Sequence, residues 1–156
     1  MADSISIQEG KRWKEEGNRL SALQKFDDAI RCYEKAISQD PVDEETHFQK
    51  GLAFMNLIRY QEAVEAFEQA IRLNDKEPRF WLYMGVNYLF MGRYSKAIPC
   101  FNMVIEIEPE NVHALSNKGS ALAELDKHAD AVTCFDRILE LVPGDKIAAA
   151  VGMLGL

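Results

Sequence analysis

The sequence predicts an all-α chain built from four stacked helix hairpins. Three observations carry that prediction. The chain superimposes on itself without gaps at a shift of 34 residues, each copy shows helical apolar spacing twice with a break between, and the composition is that of an ordinary folded protein. With 156 residues, 47% hydrophobic and 28% charged, collagen and disorder are excluded, and one domain with a sizeable core is expected without metal or disulfide staples. The units are 10–43, 44–77, 78–111 and 112–145. Gly17, Gly51, Gly85 and Gly119 recur at unit position 8, and Ala29, Ala63, Ala97 and Ala131 at position 20. Tyr33, Phe67, Phe101 and Phe135 share position 24, while Leu20, Phe54, Tyr88 and Leu122 share position 11. Position 32 holds Pro41, Asp75, Pro109 and Pro143, so only Asp75 departs from proline.

Each element follows from this register. Ahead of the first unit, Ser6 and Glu9 stand in capping-box spacing and are expected to start the first helix. In the second unit His47, Phe54 and Leu57 share one face of the first helix, and Val64, Phe67, Ala70 and Ile71 share one face of the second. Small residues at positions 8 and 20 let the two helices of a hairpin approach closely, and proline at position 32 ends the second because it cannot donate the next backbone hydrogen bond. In the third unit Pro99 falls inside the second helix; it is expected to lie in the tolerant first turn, with the helix starting near Ser95. After the fourth unit, residues 146–156 begin in phase as a fifth first helix, yet beyond Lys146 they contain no polar side chain. A repeat array needs a terminal element with a polar outer face. This segment is therefore expected to be a capping helix or the start of a fifth unit, docking on the fourth hairpin and driving a weak homodimer through the carboxy-terminal end.

The series Trp13, Gly17, Leu20, Ala29, Tyr33, Ala36 and Pro41 resembles the tetratricopeptide repeat, and the third unit, with Trp81, Gly85, Tyr88, Ala97, Phe101 and Pro109, resembles it most closely. The resemblance covers the four units. It implies a right-handed superhelix, a solenoid of antiparallel hairpins whose first helices line a concave groove.

No phosphate-binding Gly-rich loop, nucleophile elbow or zinc-binding His-Glu-X-X-His helix occurs, so no catalytic residues, cofactor or metal are assigned and the protein is not expected to be an enzyme. His47, His113 and His128 fall at positions 4, 2 and 17, never in a pair that aims two imidazoles at one metal. His47 occupies the place of Trp13, Trp81 and Leu115 and is expected to be packed and hydrogen bonded. Cys32, Cys100 and Cys134 all stand at position 23, one repeat or more apart, which is too far for a disulfide; they are expected to remain thiols, as in a reducing compartment.

The net charge of −7 has the wrong sign for a phosphate-backbone binder, so nucleic acid is not an expected partner. The longest uncharged run is Phe80–Gly92, 13 residues, against roughly 20 for a membrane span. The amino terminus has neither a basic n-region nor an apolar h-region, and the cytoplasm is the expected compartment. Charge is uneven, the units carrying 0, −3, 0 and −3, and seven of the 18 basic residues lie in the first.

By the family resemblance, the groove is faced by positions 2, 5, 6, 9, 12 and 13 of each first helix. In the second unit these include Phe48, Gln49, Leu52 and Met55, and in the third Arg79, Leu82, Tyr83, Val86, Leu89 and Phe90. Large apolar groups thus stand where a solvated groove would be polar, which marks a binding surface. Chaperone-binding members of the family grip the terminal carboxylate of a partner peptide with Lys and Asn at positions 5 and 9 of the first repeat, Asn at 6 of the second, and Lys and Arg at 2 and 6 of the third. Lys14 and Asn18 match, Arg79 preserves charge, and Gln49 and Tyr83 depart. The turn Lys76-Glu77-Pro78-Arg79-Phe80 with its apolar helix is similar to a junction in the small tetratricopeptide chaperones of bacterial type III secretion, which hold an extended apolar segment. The expected function is a non-catalytic adaptor or co-chaperone that binds a protein or peptide client in the groove. Lys14, Asn18 and Arg79 would orient acidic groups, including an acidic carboxy terminus, and the apolar residues would supply burial. A self-associating structural protein is the alternative.

Overall fold

The computed structural model describes residues 2–142. Eight helices follow in order: α1 (Ala2–Ala22), α2 (Phe26–Gln39), α3 (Glu44–Asn56), α4 (Tyr60–Leu73), α5 (Pro78–Phe90), α6 (Tyr94–Ile107), α7 (Val112–Glu124) and α8 (His128–Leu141), with no strand among the described residues. They pair as hairpins, α1 with α2 through α7 with α8, and each second helix packs on the first helix of the next unit. Consecutive first helices also touch, α1 to α3, α3 to α5 and α5 to α7, which puts them on the inside of the stack.

The glycines at position 8 set the distance within each hairpin. A Cβ on Gly17, Gly51, Gly85 or Gly119 would stand 2.6, 2.5, 2.7 or 2.8 Å from the ring of Tyr33, Phe67, Phe101 or Phe135. The ring at position 24 therefore lies flat on the bare backbone of its partner helix. Tyr33, Phe67 and Phe101 are fully buried there.

Turns repeat as faithfully as helices. Inside every hairpin one residue at position 15 takes a left-handed conformation: Gln24, Ile58, Gly92 and Asp126, with φ of 59°, 61°, 67° and 58°. The following amide, of Lys25, Arg59, Arg93 or Lys127, then donates to the position-11 carbonyl of Leu20, Phe54, Tyr88 or Leu122, each at 2.9 Å. Between hairpins the residue at position 34 caps the next helix. Asp43 Oδ1 accepts from the Glu45 and Thr46 amides at 3.1 and 3.4 Å, Glu77 Oε1 from Arg79 at 3.2 Å, and Asn111 Oδ1 from Ala114 at 2.9 Å. A second device ties this turn down. The ring nitrogen at position 4 reaches back to the position-32 carbonyl, His47 Nε2 to Pro41 at 3.0 Å and Trp81 Nε1 to Asp75 at 2.9 Å. His47 is hydrogen bonded as expected, but half-buried.

Three expectations are corrected. Ser6 does not cap α1, which begins four residues earlier; its hydroxyl instead donates across to Gln39 on α2, 2.7 Å from Oε1 and 3.2 Å from the carbonyl oxygen. Pro99 lies beyond the first turn of α6, which starts at Tyr94. It is accommodated because Pro99 and Ser95, whose carbonyl loses its donor, are both on the exposed side of the helix. Phe48 belongs to the core, at 2% exposure, and not to the groove surface. Its ring sits 4.9 Å from Phe80 and 5.8 Å from Phe67 between centroids, sealing the second unit against the third. The expected helix at 146–156 and its dimer contact lie outside the described residues.

Candidate functional site

The inner face of α5 carries the exposed part of the groove. Tyr83, Val86 and Phe90 follow helical spacing on one side, so the stripe spans about 10 Å along the axis. Tyr83 is 37% and Phe90 60% exposed, with Val86 half-buried between them. Neither ring is loose. Tyr83 stands edge-on to the buried Phe48 with centroids 5.5 Å apart, and Phe90 stacks on Tyr60 of α4 at 5.8 Å and 25°. Leu52 and Met55 of α3 and Leu82 and Leu89 of α5 are half-buried and pack against the core, so they form the floor and flanks of the stripe. Of the apolar residues expected in the groove, then, Tyr83 and Phe90 stand out into it, Leu52, Leu82 and Val86 are shared with the core, and Phe48 supports them from below.

The polar positions are all engaged within the chain. Lys14 Nζ pairs with Asp43 Oδ2 at 2.8 Å, with both side chains mostly covered. Asn18 Oδ1 accepts from the Tyr33 hydroxyl at 2.9 Å, which leaves only its amide donors for a ligand. Arg79 donates from Nη2 to Glu45 at 2.9 Å and from Nε to Glu77 at 3.0 Å, and its guanidinium lies 5.3 Å above Phe48 and 5.8 Å above Phe80. Gln49 Nε2 donates to Glu45 at 2.8 Å. Partial burial works against the charge on Asp43, yet hydrogen bonds from Lys14 and Thr46 hold its carboxyl below the usual range. Glu77 behaves alike, burial opposed and outweighed by Arg79. An incoming carboxylate would have to compete with Asp43, Glu45 and Glu77 for the cations that a terminal grip requires.

Glu45 falls at a groove-facing position in the sequence register, whereas Asp43 and Glu77, which also engage these cations, were passed over by spacing alone. Asp43 had a readable signal, an acidic cap three residues before Thr46, but nothing in the linear pattern shows that it turns its second oxygen toward Lys14. Tyr60, the support for Phe90, sits at the start of the preceding second helix and has no motif.

The remaining reactive groups are withdrawn from the surface. Cys32, Cys100 and Cys134 are free and buried, and burial pushes the Cys100 thiol up to about 12. Among the described residues no cluster of His, Cys, Asp and Glu could hold a metal ion, and no helix is long and apolar enough to cross a membrane.

Comparison with known proteins agrees with this architecture. Family models described as tetratricopeptide repeat match residues 14–78 and 48–86, 78–111 and 112–145. No curated relative matches the chain in sequence. Among solved structures, a crystal structure of MamA is 26% identical with a TM-score of 0.83, covering 90% of this chain and 81% of that one. The first such domain of Spaghetti (RPAP3), bound to the HSP90 peptide SRMEEVD, is 24% identical with a TM-score of 0.74, covering 77% and 95%. A domain of Arabidopsis OM64 is 24% identical with a TM-score of 0.69, covering 79% and 98%.

Proposed function

This chain belongs to the tetratricopeptide repeat family, and from that premise we propose that it is a non-catalytic adaptor whose inner face takes an apolar helix or extended segment of a client protein. The observation that carries the reading is the pair Tyr83 and Phe90, two large rings held rigid by Phe48 and Tyr60 while part of each faces solvent on the inside of the stack. Rings already fixed lose little rotamer freedom on binding, so more of their burial is realised as affinity. Fully burying one such side chain is worth roughly 1.5–3 kcal/mol, and two or three anchors bring the sum into the micromolar range after ordering costs.

An acidic carboxy-terminal peptide is the second reading. It draws on Lys14 and Asn18 and on the peptide SRMEEVD held by the structurally similar domain of Spaghetti. It is the weaker, because Lys14 and Arg79 are neutralised within the chain and Tyr83 stands where a second cation would be needed.

Selection of a displayed random-peptide library on the intact chain, with counter-selection on Phe90→Glu, tests the choice. The apolar reading expects peptides with two or three apolar anchors at helical or alternate spacing. Recovery of peptides sharing only acidic carboxy termini would overturn it in favour of the second reading.

A further inference from the structure

The second and third hairpins are joined by a hydrogen bond from a side chain that is fully buried. Asn87, at unit position 10 on α5, donates from Nδ2 to the backbone carbonyl of Tyr60, the first residue of α4, at 2.9 Å, and the Met91 sulfur lies 3.8 Å from the same nitrogen. The reverse amide orientation would set two oxygens against each other, so the direction of the donor is fixed. Tyr60 is the residue whose ring stacks on Phe90, with centroids 5.8 Å apart. We propose that Asn87 is a positioning residue of the client site: by fastening the Tyr60 backbone to α5 it keeps the Tyr60 ring against Phe90, and so presents Phe90 to a partner in one orientation. That role rests on the α5 stripe being the client site.

Stability does not account for the asparagine. The matching residues where α3 packs on α2 and α7 on α6 are Ala53 and Ala121, both fully buried, so two other units stack in the same way with no polar group at this place. Asn87 also carries a liability: its Oδ1 is buried without a hydrogen-bond partner among the described residues, and an unmet buried acceptor is destabilising. What sets the third unit apart is the ring pair. Position 13 holds Ala22, Asn56, Phe90 and Glu124, so the one unit with a carboxamide at position 10 is also the one with an aromatic at position 13. The two residues lie within one turn of α5, Asn87 gripping the Tyr60 backbone and Phe90 meeting the Tyr60 ring. Phe90 is 60% exposed, so without the stack its ring would turn freely in solvent, and ordering it would oppose binding.

The test is Asn87→Ala, which installs the residue of the second and fourth units. Aromatic NMR on the free full chain reads the nuclear Overhauser contact between the Tyr60 and Phe90 rings, and calorimetry reads the affinity for a peptide selected on that chain by display. The variant is expected to fold with a thermal midpoint no lower than the parent's, to lose most of the ring contact, and to bind the peptide about fivefold more weakly. In a Phe90→Ala background the same change should leave peptide affinity unaltered, because the ring it positions is gone, whereas a general loosening of the fold would weaken binding in both backgrounds. A ring contact that survives in Asn87→Ala would overturn the proposal. So would loss of folding, which would make Asn87 a structural residue, or a lost contact with undiminished affinity. Full-strength binding by Phe90→Ala alone would instead overturn the client-site reading, and the two failures are told apart because the ring contact is read with no peptide present.

Discussion

Lys14 Nζ lies 2.8 Å from Asp43 Oδ2, so the lysine that most resembles a peptide-carboxylate grip is held by the residue that caps the next helix. The same aspartate accepts from the Thr46 hydroxyl at 2.7 Å and from two backbone amides. One side chain thus starts α3 and occupies the cation at once.

That double duty can be separated by Asp43→Asn. Asparagine caps a helix about as well as aspartate but no longer neutralises Lys14. The variant is expected to stay folded, within about 1 kcal/mol of the parent, and to bind the peptide SRMEEVD more tightly than the parent does. Fluorescence anisotropy with labelled peptide measures it. Equal, undetectable binding by both proteins would show that freeing Lys14 does not create the grip.

Acid should act through the same residues. The carboxyls of Asp43 and Glu77 are held below their ordinary values, so they contribute stability that is fully present above the unfolded-state values of about 3.9 and 4.3 and is lost as pH falls through the lower folded values. Urea midpoints are expected to fall between about pH 5 and pH 3, less steeply in Asp43→Asn than in the parent. Parallel slopes would mean that Asp43 does not carry its share of the acid sensitivity.

Gly51 and Gly92 are glycines for different reasons, and alanine should tell them apart. At Gly51 a Cβ would meet the fully buried Phe67 ring at 2.5 Å. Gly51→Ala is expected to cost about 1–3 kcal/mol through overpacking. Gly92 has open space around it and φ of 67°, so Gly92→Asn should be nearly neutral while Gly92→Ala costs about 1 kcal/mol. Denaturant titration of the three variants checks the order; an unaffected Gly51→Ala would refute the close approach of the two helices.

Ile58 stands at the same turn position as Gly92, a β-branched residue at φ 61° with 72% of its surface exposed. Ile58→Gly should remove backbone strain without losing packing, raising stability by about 1 kcal/mol. An unchanged or lower thermal midpoint would show that the isoleucine makes compensating contacts.

The fold was legible because each repeated residue has a local reason that recurs in every copy. Position-8 glycine and position-24 ring report one contact four times over, so the 34-residue period was enough to place seven of the eight helices of the described region and their pairing. What fails is where the copies differ. Ser6 has the capping-box spacing to Glu9 but lies inside α1 and bonds Gln39 instead, and Pro99 is tolerated by exposure, which one sequence does not display. On the inner face, the exposure of Tyr83 and Phe90 agrees with their positions in the repeat. The burial of Phe48 does not, because position 5 points inward when Phe67 of its own unit and Phe80 of the next are placed to receive a ring. Lys14 and Arg79 carry the right charge at the right positions, yet Lys14 is paired with Asp43 from the turn between units and Arg79 with Glu45 from the first helix of the preceding unit, distances in sequence that spacing rules for a single helix do not reach.

The central claim is that clients bind the ring stripe on the inner face of α5. The most direct test is titration of a selected client peptide, by isothermal calorimetry, against the parent, Tyr83→Glu, Phe90→Glu and the control Val42→Glu, whose side chain is exposed in the turn between the first two units. The expected result is a loss of more than tenfold in affinity, about 1.4 kcal/mol, for Tyr83→Glu and for Phe90→Glu, with Val42→Glu binding like the parent and all four proteins sharing one thermal midpoint to within a few degrees. Undiminished binding by both groove variants would contradict the account.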